Sequence, residues 1–235
     1  MTGARYGTVR FRLAGDRGLL AEYGEGIDPE VNRKVRSVAA LLGRDPLPGV
    51  SEIVPTYRSL LLVYDPLVTR PERLESELKR LEARLSEIRI PEPRTVTIPV
   101  CYGGELGPDL GFVAASHGLT EEEAVRLHTE PTYPIYMIGF TPGFPFLGGL
   151  PEALHTPRLE TPRTAVPAGS VGIANNQTGI YPVASPGGWR LIGRTPLRLF
   201  DPEKEEPFLY RAGDLIRFRS IPPEEYRRLA GEGAA

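Results

Sequence analysis

Proline is unevenly distributed: six fall in residues 1–90 and nineteen in residues 91–235. The pyrrolidine ring removes a backbone donor, breaks a helix interior and confines a strand to a sheet edge. The second part of the chain is therefore restricted to short strands, turns and brief helices, whereas the first can use regular elements freely. The densest cluster is residues 139–151, GFTPGFPFLGGLP, with three Phe, three Pro and four Gly. Such a stretch reads as a loop, yet an apolar one, and loops normally run over the surface.

The proline-poor part carries conventional signals. TVRFRLAG alternates Val9, Phe11 and Leu13 as a half-buried strand does, and LLAEYG follows as its hairpin partner. A helix is expected to start at Asp28-Pro29 and stop at Gly43, with Val31, Val35, Val38 and Leu42 on one face. GVSEIV and SLLLVY read as two further strands. A second helix is expected from Thr69, with Glu72 completing a capping box, and carries Leu74, Leu78, Leu81, Leu85 and Ile88. The order ββαββα implies an antiparallel sheet with helices on one face.

PEPR at residues 91–94 reads as a linker, dividing the chain into an N-terminal α/β subdomain (1–90) and a β domain (91–235). Beyond it come the strand TVTIPV, a helix from Asp109 to about His117 stopped by Gly118, and one capped by Thr120 and Glu123. The strands YPIYMIGF, SVGIA, TGIYPV, WRLIG, LRLF and DLIRFRS then alternate with turn residues, the grammar of a β-barrel or sandwich. PPEEYRRLA reads as a closing helix and GEGAA as a frayed tail. The fold class expected is α+β.

Charge and composition exclude several function classes. With 28 basic and 30 acidic side chains the chain has no field directed at nucleic acid or anionic lipid. A single cysteine rules out an internal disulfide framework and a cysteine-based metal cage, and the three histidines share no H-x-x-x-H spacing, so no metal is expected. No apolar run has the length of a membrane span or a secretory leader, and a cytoplasmic protein is expected. No G-x-x-x-x-G-K-[ST] loop offers a phosphate cradle. Cys101 could pair with His117 or His128 as nucleophile and base, but a lone cysteine ending an apolar strand is more simply a small buried hydrophobe. His128, at a helix end, is accounted for by the macrodipole's preference for a cation there, or it points into a site.

Residues 161–201 hold turn residues, Trp189 and the polar groups Arg163, Gln177, Thr178, Tyr181, Ser185 and Arg194. The glycines and prolines can be read as the tight corners of a barrel. Equally, they can be read as backbone approaching a ligand that Arg and Gln orient.

Five blocks in order carry a resemblance: PVCYGGELGPDL, YMIGFTPGFPFLGGL, PRTAVPAGSVGIA, QTGIYPVASPGGWRLIGRTPL and AGDLIRF. The chain resembles the KipI/PxpB family from GDRGLLAEYG to RFRSIP. This family is also known as allophanate hydrolase subunit 1, or carboxyltransferase subdomains C and D. The resemblance implies a cyclophilin-like C-terminal barrel, without implying prolyl isomerase activity, because fold does not fix function. It implies one half of an assembly with a KipA/PxpC-like subunit which, with a PxpA-like subunit, forms an ATP-dependent 5-oxoprolinase opening the lactam to glutamate. It also implies an alternative, a binding module that inhibits a sensor histidine kinase. ATP is expected to act with the partner subunits, with neither metal nor biotin on this chain, and self-association is the other assembly that remains open. One departure is visible, Asn175 where the family usually has glycine two residues before QTG. Asparagine tolerates left-handed backbone, so the turn is expected to survive.

On this reading Arg163, Gln177, Thr178, Tyr181, Ser185, Arg194 and His128 are candidate contacts to substrate or phosphate. Phe140, Pro142, Phe144, Pro145, Phe146 and Trp189 are the candidate apolar wall on which a ligand or partner packs. The two sets are expected to line one hollow of the barrel.

Overall fold

The structure, a computed structural model, describes residues 5–88 and 90–232. It is a mixed α+β fold of two compact units, residues 1–92 and 93–235.

In the first unit β1 (Arg5–Leu13), β2 (Gly18–Gly24), β3 (Val50–Pro55) and β4 (Ser59–Tyr64) form an antiparallel sheet in the order β1-β2-β4-β3. Leu19 faces Leu62 and Ala21 faces Leu60 across β2 and β4, so the alternation puts these side chains on one face. That face shares a core with Val35, Val38, Leu41 and Leu42 of α1 (Pro29–Arg44) and with Leu74, Leu78 and Leu81 of α2 (Pro71–Glu82). Asp28 caps α1 by accepting from the backbone N–H groups of Glu30 and Val31, at 2.8 and 3.1 Å.

Two boundaries differ from expectation. Gly43 does not stop α1, which runs to Arg44 and ends on Asp45 without left-handed backbone. Thr69 does not cap α2. Pro71 takes the first helical position and holds Arg70 extended as the N-cap, so the buried Thr69 lies too far upstream. Leu85 and Ile88 lie beyond α2, at a 3-10 turn, and still pack against the same core.

The second unit is a nearly closed, barrel-like sheet of seven strands. Its members are β5 (Thr95–Tyr102), β6 (Thr132–Ile138), β7 (Pro145–Leu147), β9 (Ser170–Ala174), β10 (Gln177–Ile180), β12 (Arg190–Arg194) and β13 (Leu215–Ser220). The order is β10-β9-β12-β5-β13-β6-β7, and the two end strands, β10 and β7, lie against each other. Period-two positions fill the interior: Ile98 and Val100, Tyr133 and Ile135, Val171 and Ile173, Ile216 and Phe218. A two-stranded sheet of β8 (Arg163–Val166) and β11 (Ser185–Gly187) stands apart from it.

The helices α3 (Leu110–Ser116) and α4 (Glu121–Thr129) add Val113, Ala114 and Ala124 to the barrel core. Gly118 follows α3 with φ +66° and Thr120–Glu123 closes a full capping box on α4, both as expected. α5 (Pro223–Glu232) is the last helix, and residues 233–235 of the expected frayed tail lie outside the described residues.

The apolar loop of residues 139–151 is less irregular than its composition suggests. Pro145 begins β7, a short strand at the sheet's end that pairs with β6 through Met137 and Phe146. There its missing N–H costs nothing. LRLF (197–200) forms no strand; Phe200 makes an isolated bridge to Phe208.

Candidate functional site

A hollow of about 510 Å³ opens in the second unit where the 139–151 loop meets β11 and the start of β12. Phe144 forms its floor. The ring is 1% exposed and has Phe140, Phe146, Tyr181 and Trp189 at 5.1–5.5 Å, all edge-to-face, the arrangement aromatic quadrupoles favour. Phe140 stands 69% exposed on left-handed backbone at φ +66°. A non-glycine residue there carries strain of about 1–3 kcal/mol unless its surroundings hold it. Two glycines make the close packing possible. A Cβ at Gly179 would lie 2.9 Å from Phe144 and one at Gly187 would lie 2.3 Å from the Tyr181 hydroxyl.

The polar lining is sparse. Thr141 and Ser185 each have a hydroxyl oxygen buried beneath the lining with no hydrogen-bond partner among the described residues. Among the described residues Arg158 is the one cation on the lining. It sits 5.9 Å from the Trp189 ring centroid and has no carboxylate partner among the described residues. Burial pushes the Tyr181 phenol up, against a backbone hydrogen bond from Trp189 and the nearby Arg158 and Arg163 charges. Among the described residues the lining holds no carboxylate, imidazole or thiol. It can bind and orient, but by itself offers no group that takes a proton near neutral pH.

Of the residues expected from the sequence, the structure brings Phe140, Phe144, Phe146, Tyr181, Ser185 and Trp189 together around this hollow. The remainder lie elsewhere, each for a visible reason. Arg163 points at Asp109, making two 2.9 Å hydrogen bonds to its carboxylate and a 3.2 Å bond to the Trp189 carbonyl. Asp109, 8% exposed, also accepts from the Leu191 N–H at 2.6 Å. The pair thus ties the start of α3 to β8 and β12 and holds Trp189 from behind. Arg194 donates to the Ala168 carbonyl at 2.8 Å, and Gln177 opens β10 opposite Ala174. Pro145 is buried in β7, while Pro142 borders a separate shallow depression with Phe208.

His128 and Thr178 are fully buried inside the barrel and belong to its interior, not to the hollow. Thr178 donates its single hydroxyl proton to the Gly172 carbonyl at 3.1 Å, so His128 Nε2 must supply the hydrogen of their 2.8 Å contact. Nδ1 then accepts from the Tyr102 hydroxyl at 2.8 Å. Burial lowers the imidazole to about 3, so it is neutral and the expected helix-end cation is absent. Cys101 is likewise buried and its thiol pushed up by burial, as a structural cysteine should be.

Two contributors to the hollow were missed, Arg158 and Thr141. The only hint for Arg158 was that Thr-Pro-Arg occurs twice, at 156–158 and 161–163. Among the described residues no group of three or more His, Cys, Asp or Glu is placed to hold a metal ion, and no helix is long and apolar enough to cross a membrane.

Comparison with known proteins places this geometry in a family. The chain is 44% identical over 233 residues to a 5-oxoprolinase subunit of Bacillus subtilis (strain 168), covering 93% of this chain and 96% of that protein. It is 49% identical over 182 residues to the 5-oxoprolinase subunit of the same designation in Escherichia coli O157:H7, covering 76% and 81%. The crystal structure of TTHA0988 matches 88% of this chain with a TM-score of 0.78 and 45% identity, and this chain spans 40% of that longer polypeptide. Residues 9–210 match the family described as carboxyltransferase domain, subdomain C and D, and the chain belongs to that family.

Proposed function

We propose that this chain is a non-autonomous subunit of an ATP-dependent 5-oxoprolinase, completed by KipA/PxpC-like and PxpA-like subunits. The observation that carries the reading is the hollow itself. It joins an aromatic floor, one uncommitted guanidinium and two unpartnered hydroxyls in a chain similar along its length to proteins named as 5-oxoprolinase subunits. A five-membered lactam is a weak electrophile because its amide resonance must be broken, and coupling to ATP would supply that activation. One cation is too little for a triphosphate, which needs several charges or a cradle of backbone N–H groups, and this supports a reading in which the partners hold ATP. A lining without an acid–base group fits a reading in which another polypeptide supplies the proton transfers. The span of TTHA0988 beyond the matched region fits the same picture, a domain that works joined to more protein.

The test is reconstitution. The chain mixed with KipA/PxpC-like and PxpA-like subunits should hydrolyse ATP in a 5-oxoproline-dependent manner, and the chain alone should not. An inert mixture, together with a lone chain that stops a sensor histidine kinase from phosphorylating itself, would replace this reading with the inhibitor. The exposed Phe140 would then be the docking anchor.

A further inference from the structure

We propose that the hollow by itself binds a small flat ring bearing a carboxylate, and that Arg158 anchors that carboxylate and sets the preference for anionic ligands. The proposal rests on the 5-oxoprolinase reading only in taking 5-oxoproline as one such ligand; the site is argued from its own chemistry. Arg158 offers five N–H donors in a planar fork suited to a carboxylate, and none is taken by an acceptor among the described residues. No Asp or Glu lines the hollow to compete for it. Ser185 and Thr141 hold their hydroxyl oxygens beneath the surface of the lining, without partners among the described residues, so Arg158 is left as the polar group that meets a ligand. Phe140, Phe144, Phe146 and Trp189 supply apolar surface for a ring but nothing that would hold a charged or extended chain. A cation and an aromatic floor complement a compact ring with one negative end. Arg163, paired with Asp109, takes no part in the contact; it holds Trp189 in place.

Trp189 is the chain's only tryptophan and lies on the wall of the hollow, so its emission reports occupancy without any partner subunit. The full chain is titrated with 5-oxoproline, benzoate and 2-pyrrolidinone, the last being the lactam ring without its carboxylate. The two carboxylates should change the emission saturably, and 2-pyrrolidinone should need at least tenfold higher concentration. Arg158→Gln should weaken both carboxylates about tenfold and leave 2-pyrrolidinone unaltered, and Arg158→Lys should fall between. Equal affinities for charged and neutral rings, an unaffected Arg158→Gln variant, or no response to any ligand would each overturn the proposal. Binding of benzoate but not 5-oxoproline through Arg158, together with a reconstituted mixture that is inert towards 5-oxoproline, would keep the site and remove the 5-oxoprolinase reading. Normal kinetics of the reconstituted Arg158→Gln complex, together with emission titrations that this substitution leaves unchanged, would keep that reading and remove the site.

Discussion

Arg158 and Arg163 end two copies of the tripeptide Thr-Pro-Arg, five residues apart, and the fold gives them opposite roles. One faces the hollow; the other is committed to Asp109, a partner 54 positions earlier in the chain that no local spacing can reveal. Removing one member of such a pair leaves a charge with too little compensation, so Arg163→Ala is expected to destabilise the chain by about 3 kcal/mol in urea unfolding. Asp109→Ala/Arg163→Ala should recover part of that loss, because no lone carboxylate remains. His128 gives a second expectation. Its folded-state value, lowered to about 3 from 6.5, means that the unfolded chain binds the proton more readily. The His128 contribution is complete above about pH 6.5 and should fall by about 1.4 kcal/mol per pH unit on acidification towards 3. Denaturation between pH 4 and 7 separates this from Asp28 and Asp214, whose lowered carboxyls lose their stabilisation only below the ordinary carboxylate range. His128→Gln should flatten the slope across that interval. The sequence showed a histidine at a helix end, whereas the hydrophobic wrapping that sets its charge comes from strands far along the chain.

At the scale of single elements, legibility followed whether the signal was local. The caps of α1 and α4 are written in three or four consecutive residues and were read correctly, and Thr120→Ala is expected to cost about 1 kcal/mol in thermal unfolding. The start of α2 was misplaced because Thr69 and Glu72 have capping-box spacing, while Pro71 between them dictates the first helical residue. Short strands at sheet edges, β7, β8 and β11, were not foreseen. Three or four residues carry no detectable period, β7 and β11 contain Pro as well, and only the neighbouring strand makes them extended. Asn175 shows the opposite case. It joins β9 to β10 through a two-residue turn at φ +54°, the left-handed backbone that asparagine tolerates. Asn175→Gly should leave stability within a few tenths of a kcal/mol or raise it, whereas Asn175→Val should cost about 1–2 kcal/mol by chemical denaturation.

Across the whole molecule, two cores are drawn from separate stretches of chain. One is built from residues 19–81 and the other from residues 98–218, with the proline-rich segment between them. Separately expressed fragments divided after residue 92 are each expected to fold, giving dispersed amide NMR spectra that overlay on those of the full chain. A fragment giving a collapsed spectrum would show that its core depends on the other. The change in proline usage near residue 90 is legible because it lies in composition, while the hollow was only half legible because it forms between segments that composition cannot bring together. β5 carries a further consequence. It lies between β12, antiparallel to it, and β13, parallel to it, and Arg94 just before it holds Asp214 at 2.8 Å, 120 residues later. During synthesis the emerging β5 therefore has no permanent neighbour on that side until the ribosome has made almost the entire second unit. For that interval an apolar edge is open to the wrong partner, and a long loop must close before any pairing rewards it. Folding of the nascent second unit should thus be late and abrupt, with the barrel appearing in one step when β13 arrives.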